Sequence, residues 1–395
     1  MTPTIHPFPA RMAPELALES LKRLEAGVVL DPMTGSGTVA RIAKEQGLHA
    51  LGFDLDPLAV LISKVGTTIV DDSVLGQFEQ RFASLVQSVN SDEIVLPWMD
   101  DDKEAERFVN FWFAEPQRAD LRRIAYLLHN SAYIDMPDDV ADVFRIALSR
   151  IIVTKKQAAS LAQDTSHSRP HRVSLETEYD VITGFLKSVR AVRKRVSQIP
   201  TQGVVTIKRG DARNLSLLEA ESVDAVLTSP PYLNAIDYMR GHRMSLIWLG
   251  HRYSDLSKAR SNSIGAEKRP DLPFDKAAFQ SIKDSMGELE SLPSRFHGMI
   301  ERYVVDLHKM IEEVARVMRP SAFATFVMGN SCLHGVFIQN SEALISAAEA
   351  AGLVLTDRKE RDLPSGSRYL PTPETGSLSK RMRKEVIVEF AKRLR

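Results

Sequence analysis

The feature that most restricts the fold is a repeated rhythm, in which short apolar runs ending in Asp, Gly or Pro alternate with longer segments of helical period. Seven runs occur: GVVLDP (27–32), HALGFDLD (49–56), VVTIKRGD (204–211), VDAVLTSPP (223–231), SAFATFVMGN (321–330), GLVLTDRKE (352–360) and EVIVEFA (385–391). Strands this apolar are buried on both faces, and strands separated by helices pair in parallel, because a parallel neighbour is reached only through a crossover. The rhythm predicts an α/β fold built on a doubly wound, mostly parallel, seven-stranded Rossmann-like sheet. The last two runs have no clear helix between them, which predicts an antiparallel hairpin at one edge.

Two stretches break the rhythm. Residues 71–200 carry helical patterns such as FVNFWFAEPQRADLRRIAYLL and no convincing strand, so they predict a helical insertion between the second and third strands. The segment RYSDLSKARSNSIGAEKRPDLPFD (252–275) is polar and reads as a surface loop within a polar insertion at 251–295. The chain is thus expected to divide into an N-terminal part of the sheet domain (1–70), the insertion (71–200) and a C-terminal part (201–395). Lys and Arg number 51, as do Asp and Glu, so any nucleic-acid binding must come from local segregation of charge. The insertion shows it: 71–142 has about sixteen acidic residues against six basic ones, and 150–213 about thirteen basic against five acidic. The basic half predicts a DNA-facing surface, although any single residue in it reads equally as part of a solvated helix face. Cys332 is the only cysteine, which excludes a disulfide framework and a multi-cysteine metal site; no metal is expected. The amino terminus shows no signal pattern, no apolar run is long enough to cross a membrane, and a cytoplasmic location is expected.

The segment VVLDPMTGSGTVARIAKEQG reads as strand, Asp31, Gly35, Gly37, helix. It lacks the Lys of a phosphate-binding P-loop and the third glycine of a dinucleotide fingerprint, and alone it is equally a tight strand-to-helix turn. Asp54 and Asp56 follow at the end of the second run, about twenty residues on, where an acid would bond a ribose hydroxyl pair. That spacing favours a nucleoside ligand, with Asp54 reaching the ribose while Asp56 caps the helix that opens at Pro57. Asp211, after the third run, is placed to accept from an adenine amino group; alone, it is as readily an Asx turn or helix cap.

DPMTGSGT, FDLDP, GDA and TSPPY, in this order and each at a strand's end, resemble the S-adenosylmethionine-dependent amino methyltransferases of DNA, which act on cytosine N4 or adenine N6. The likeness covers about 1–66 and 203–395. It implies that Asp31, Pro32, Gly35, Gly37 and Thr38 hold the methionine end of S-adenosylmethionine, Asp54 the ribose, and Asp211 and Ala212 the adenine. It also implies that the opening HPFPARM brings His6, Phe8 and Pro9 beside the glycine turn; without the resemblance this segment reads as a frayed tail.

The fourth run ends in Ser229, Pro230, Pro231 and Tyr232. An exocyclic amino nitrogen is a poor nucleophile because its lone pair is conjugated with the ring. Acceptors aimed at its hydrogens, here the Ser229 hydroxyl and Pro230 carbonyl, would favour a tetrahedral nitrogen ready for methyl transfer. Two prolines fix φ and lack N–H, leaving a rigid loop that presents carbonyls. The base must leave the duplex, and Tyr232 offers it a stacking surface. A covalent C5-cytosine route is disfavoured, since Cys332 lies after the fifth run rather than the fourth.

In the resembling family Ser before Pro-Pro is commoner among N4-cytosine enzymes, and Asp or Asn among N6-adenine ones, so cytosine is favoured. The alternatives are an N6-adenine enzyme, an RNA or protein methyltransferase, against which Ser229 counts, and a non-catalytic nucleic-acid-binding module. Expected partners are double-stranded DNA and a cognate restriction or defence protein, with the protein near the nucleoid. DYMRGHRMSLIWLG predicts an amphipathic helix with Arg240, His242 and Arg243 toward DNA and Leu246 to Leu249 packed. The resemblance adds Arg368 and Tyr369 as borders of the base pocket. Target reading is expected in the 71–200 insertion, with 251–295 as the rival.

Overall fold

Each of the seven apolar runs forms a strand, and the computed structural model joins all seven in one sheet. It describes residues 5–8, 12–90, 93–155, 157–163, 170–200, 202–233, 237–264, 275–362 and 384–393. The chain opens with α1 (Pro14–Leu21), β1 (Val28–Asp31), α2 (Thr38–Glu45), β2 (His49–Asp54) and α3 (Pro57–Val65). Next come α4 (Asp72–Ser88), α5 (Pro97–Asp100), α6 (Lys103–Trp112), α7 (Glu115–His129), α8 (Asp138–Ile152), the two-residue strands β3 (Ala162–Gln163) and β4 (His171–Arg172), and α9 (Val181–Val196). The sheet resumes with β5 (Val204–Arg209) and β6 (Val223–Thr228), followed by α10 (Met239–Leu246), α11 (Tyr253–Ser261), α12 (Lys276–Asp284) and α13 (His297–Val317). Last are β7 (Met318–Gly329), the short pair β8 (Ser331–Leu333) and β9 (Val336–Ile338), α14 (Asn340–Ala350), β10 (Leu353–Asp362) and β11 (Lys384–Lys392).

The strand order is β10-β11-β7-β6-β1-β2-β5. The five strands from β7 to β5 are parallel, and β11 runs antiparallel to both β7 and β10, which gives the expected edge hairpin. From β1 the chain builds outward through β2 to β5, whereas β6 returns to the other side of β1 and leads to β7. The crevice at the carboxyl ends of β1 and β6 is therefore the topological switch point, where open α/β sheets receive ligands. Alternation along β1 sends Val29 to the layer formed by α1 and α2, and Leu30 to the opposite layer with α13 and α14.

The insertion shares a third apolar cluster with α3, α10 and α11, in which Phe82, Phe144 and Phe185 meet ring to ring. Part of its segregated charge is spent internally. Arg190 of the basic helix α9 reaches Glu79 of the acidic helix α4 at 2.6 Å, and Arg193 pairs with Asp72 at 2.5 Å and Glu79 at 3.4 Å. Part of the basic charge expected to face DNA therefore holds two helices together. The segment read as a surface loop also differs: residues 253–261 are helical, anchored by buried Leu256 and Ala259, and 276–284 form a second helix capped by Asp275.

The turn after β1 depends on two glycines with positive φ, Gly35 (+49°) and Gly37 (+76°). A Cβ on Gly37 would stand 2.9 Å from Ser63 Cα, so α2 and α3 approach too closely for any side chain there. Gly47 has nearly the same φ (+78°) with open space around it. Gly47→Ala should therefore cost about 1 kcal/mol from backbone conformation alone, and Gly37→Ala about 1–3 kcal/mol more, measured by urea unfolding. Equal losses would contradict the close contact.

Candidate active site

Because β6, β1, β2 and β5 are parallel neighbours, the residues that end them share one edge. Asp31 lies in register with Gly52 of β2, Asp54 with Arg209 of β5, and Asp211 and Ser229 follow directly after β5 and β6. The expected cofactor acids and the expected base-holding serine thus come together from segments almost 200 residues apart.

Asp31 is only 4% exposed and accepts from the Thr228 hydroxyl at 2.7 Å and from the Met33 N–H at 3.2 Å. Burial, reinforced by the nearby Asp54 charge, pushes its carboxyl up to about 7 despite those two bonds. Asp54 turns its carboxylate onto the glycine turn, accepting from the Gly35 N–H and the Asp56 N–H, both at 2.9 Å. Burial and then the Asp56 charge push it up to about 6. Asp56 caps α3 through the Leu58 N–H and contacts His242 Nδ1. Burial alone would raise its pKa, but the His242 charge and the hydrogen bonds it accepts hold it below the ordinary carboxylate value. Pro32 and Thr38 are buried beside these acids; the Thr38 hydroxyl meets that of Ser36 at 3.2 Å, and the Ser63 hydroxyl donates to the Gly35 carbonyl at 2.9 Å.

The amino-terminal segment packs here. A Cβ on Gly35 would stand 3.5 Å from the Phe8 ring, which also lies 5.7 Å from Tyr238 and 5.4 Å from His242. His6 is buried, its Nε2 3.0 Å from the Ser149 hydroxyl of α8, and Pro9 lies outside the described residues. Asp211 forms an Asx turn with the Arg213 N–H, and its carboxylate is gripped by the Arg213 guanidinium at 2.6 Å. Arg213 also bonds Asp306 at 2.7 Å and the Asn262 carbonyl at 2.6 Å, tying this acid to α13 and the end of α11. Ala212 is buried under the sheet.

Ser229 is exposed and donates its hydroxyl hydrogen to the Val327 carbonyl at 2.9 Å. Pro230 is buried, Pro231 and Tyr232 are half-buried, and the Leu233 N–H bonds Asn340 Oδ1 at 3.2 Å. Burial, with the Glu385 charge nearby, pushes the Tyr232 phenol above its usual value. Arg240 is exposed on α10, as expected for a surface contact. His242 is not; it turns inward to Asp56 because it lies on the buried face of α10 with Met239 and Leu246. Arg243 is half-buried, its guanidinium 5.7 Å from the Phe108 ring and 5.5 Å from that of Tyr253. Arg368 and Tyr369 lie outside the described residues. Sequence reading missed Arg213, Asn340 and the inward role of His242. Only Arg213 had a local signal, two residues after the acid it grips.

No family model matches the chain. It is 24% identical to the Type II methyltransferase M.MvaI of Kocuria varians, over 98% of this chain and 90% of that protein. The Type II methyltransferase M.BsoBI of Geobacillus stearothermophilus is 21% identical over 76% of this chain, which spans 61% of that relative's length. Among solved structures, a SAM-dependent methyltransferase of Methanosarcina mazei covers 98% of this chain and 100% of its own, at 9% identity and a TM-score of 0.34. A likeness that remote adds nothing to the strand order itself.

The raised pKa of Asp31 has a direct consequence for stability. A carboxyl whose folded pKa lies above its unfolded value contributes stability that is fully present below the unfolded value, 3.8, and lost as pH rises through about 7. Asp31→Asn keeps an acceptor oxygen for Thr228 and Met33 and cannot ionise. In thermal melts without ligand, the variant should gain on the parent from pH 4 to about pH 7 and level off above it; a constant difference across that window would contradict the buried, reluctant carboxyl.

Proposed function

We propose that the protein transfers a methyl group from S-adenosylmethionine to the exocyclic amino group of a flipped-out DNA base, with cytosine N4 as the target. The observation that carries this reading is the direction of one hydrogen bond. Ser229 has a single hydroxyl hydrogen and gives it to Val327, so toward the exposed side it offers only lone pairs. An acceptor there, beside a rigid Pro-Pro loop and a half-buried aromatic ring, suits an amino group and a planar base. The names of the curated relatives support methyl transfer, and the resemblance of the TSPPY loop supports DNA.

The residues fit the cofactor. The carboxyls of buried Asp31 and half-buried Asp54, with only neutral hydrogen-bond donors, stand at the switch point, and a Cβ on Gly35 would stand 3.5 Å from the Phe8 ring. In this reading His6, Phe8, Pro9, Asp31, Pro32, Gly35, Gly37, Thr38, Asp54, Asp211 and Ala212 surround it, with Asp54 holding the ribose and Asp211, fixed by Arg213, the adenine amino group. When bound, the cofactor supplies an electrophilic sulfonium methyl. Ser229 and the Pro230 carbonyl hold the amino hydrogens so that the nitrogen lone pair is freed from the ring, and Tyr232 stacks on the base. Pro231 keeps the loop rigid. Serine rather than Asp before Pro-Pro favours cytosine, because a carboxylate would repel the O2 and N3 edge of cytosine if the base turned. Arg240, Arg243, Arg368 and Tyr369 are assigned to DNA, target reading to the helical insertion, and the biological role to modification beside a cognate restriction or defence protein.

Transfer of tritiated methyl groups to DNA lacking modification tests the assignment. Ser229→Ala and Tyr232→Ala should each slow turnover by about 10²-fold or more with cofactor affinity nearly unchanged, whereas Asp54→Ala should act mainly on cofactor affinity. Full turnover in both loop variants would sink the mechanism.

A further inference from the structure

We infer that Asn340 is a positioning residue that fixes the geometry of the Ser229–Tyr232 loop, an inference that rests on the proposed role of that loop. Two prolines rigidify the loop internally, but they also remove the backbone donors by which it would be tied to its neighbours. Something else must hold it. At its upstream end the Ser229 hydroxyl donates to the Val327 carbonyl. At its downstream end Leu233, buried at 1% exposure, must place its N–H on a protein acceptor, and that acceptor is Asn340 Oδ1. Asn340, the first residue of α14, is itself 0% exposed. Its amide donates to the Gly329 carbonyl at 3.0 Å and to the Ser331 hydroxyl at 3.1 Å. Acceptor and both donor hydrogens are therefore committed, and the amide has one orientation only, since a flip would set NH₂ against the Leu233 N–H.

The loop is consequently clamped at both ends to the end of a single strand, at Val327 and Gly329 of β7. Asn340 is the bridge at the second point. If it lets go, the rigid loop that carries the Ser229 hydroxyl and Pro230 carbonyl loses its fixed position relative to the neighbouring strand ends. A displacement of about 1 Å of groups that must meet a reacting nitrogen costs on the order of 10²-fold in rate.

Two variants and two readouts test this. Hydrogen–deuterium exchange on a peptide spanning 229–236 should show the Leu233 amide protected in the parent protein and exposed in Asn340→Ala. In Asn340→Asp the introduced carboxylate still accepts from Leu233 but repels the Gly329 carbonyl; protonated, it can donate there again. Turnover of Asn340→Asp should fall about 10²-fold at pH 8, and its ratio to the parent should recover as pH drops toward 6, with cofactor affinity unchanged throughout. A merely structural role would not produce that pH-dependent recovery. Should Asn340→Ala fail to fold, Asn340→Leu, which also lacks the acceptor, carries the exchange measurement, and the pH-dependent turnover of Asn340→Asp stands by itself. Unchanged exchange at Leu233 in the variant that lacks the acceptor, or a ratio of Asn340→Asp to the parent that stays flat with pH, overturns the inference. If the parent transfers no methyl group to DNA, the proposed function fails, and the exchange measurement still decides whether Asn340 anchors the loop.

Discussion

The structure depends on the pairing of β1 with β6, two parallel strands from which the sheet grows in opposite directions. The Thr228 hydroxyl and the Asp31 carboxylate join their carboxyl ends at 2.7 Å, where the glycine turn leaves one strand and the Ser-Pro-Pro loop leaves the other. The glycine turn, the three strand-end acids Asp31, Asp54 and Asp211, and the Ser-Pro-Pro loop hang from these ends or from the next strands, β2 and β5. The insertion and the edge hairpin extend the sheet domain without altering that junction.

Charge at this edge is arranged under tension. Three carboxyls, those of Asp31, Asp54 and Asp56, crowd the ends of β1 and β2, and burial works against the ionisation of each. Asp56 is relieved by His242, so it stays charged and serves as a cap. Asp31 and Asp54 receive only neutral donors, which leaves both near the middle of the pH scale. A ligand offering hydroxyl or ammonium donors would complete their coordination. The Asp56–His242 contact also couples the acid strand to α10, the helix that follows the base-holding loop, so the two halves of the site share one support.

Much of this was legible in the sequence because burial on both faces writes strands as apolar runs, and because parallel strands place the residues that follow them at one edge. Asp31, Asp54, Asp211 and Ser229 could be placed by that rule alone. The strands β3, β4, β8 and β9, at two or three residues, are too short to show a period. Helix α11 was hidden in a polar segment because only Leu256 and Ala259 reach the core. Charge counted along the chain does not reveal that Arg190 and Arg193 of α9 pair with Glu79 and Asp72 of α4 in space. His242 and Asn340 find partners 186 and 107 residues away, and no local pattern announces contacts that only tertiary packing creates.

Mass spectrometry of nucleosides from the DNA of cells expressing the protein tests the central claim most directly, since the modified bases differ in kind. The account predicts N4-methylcytosine, absent from cells expressing Ser229→Ala. N6-methyladenine alone would contradict the cytosine assignment, and DNA without any methylated amino group, from cells in which the protein is abundant and folded, would contradict the proposed function.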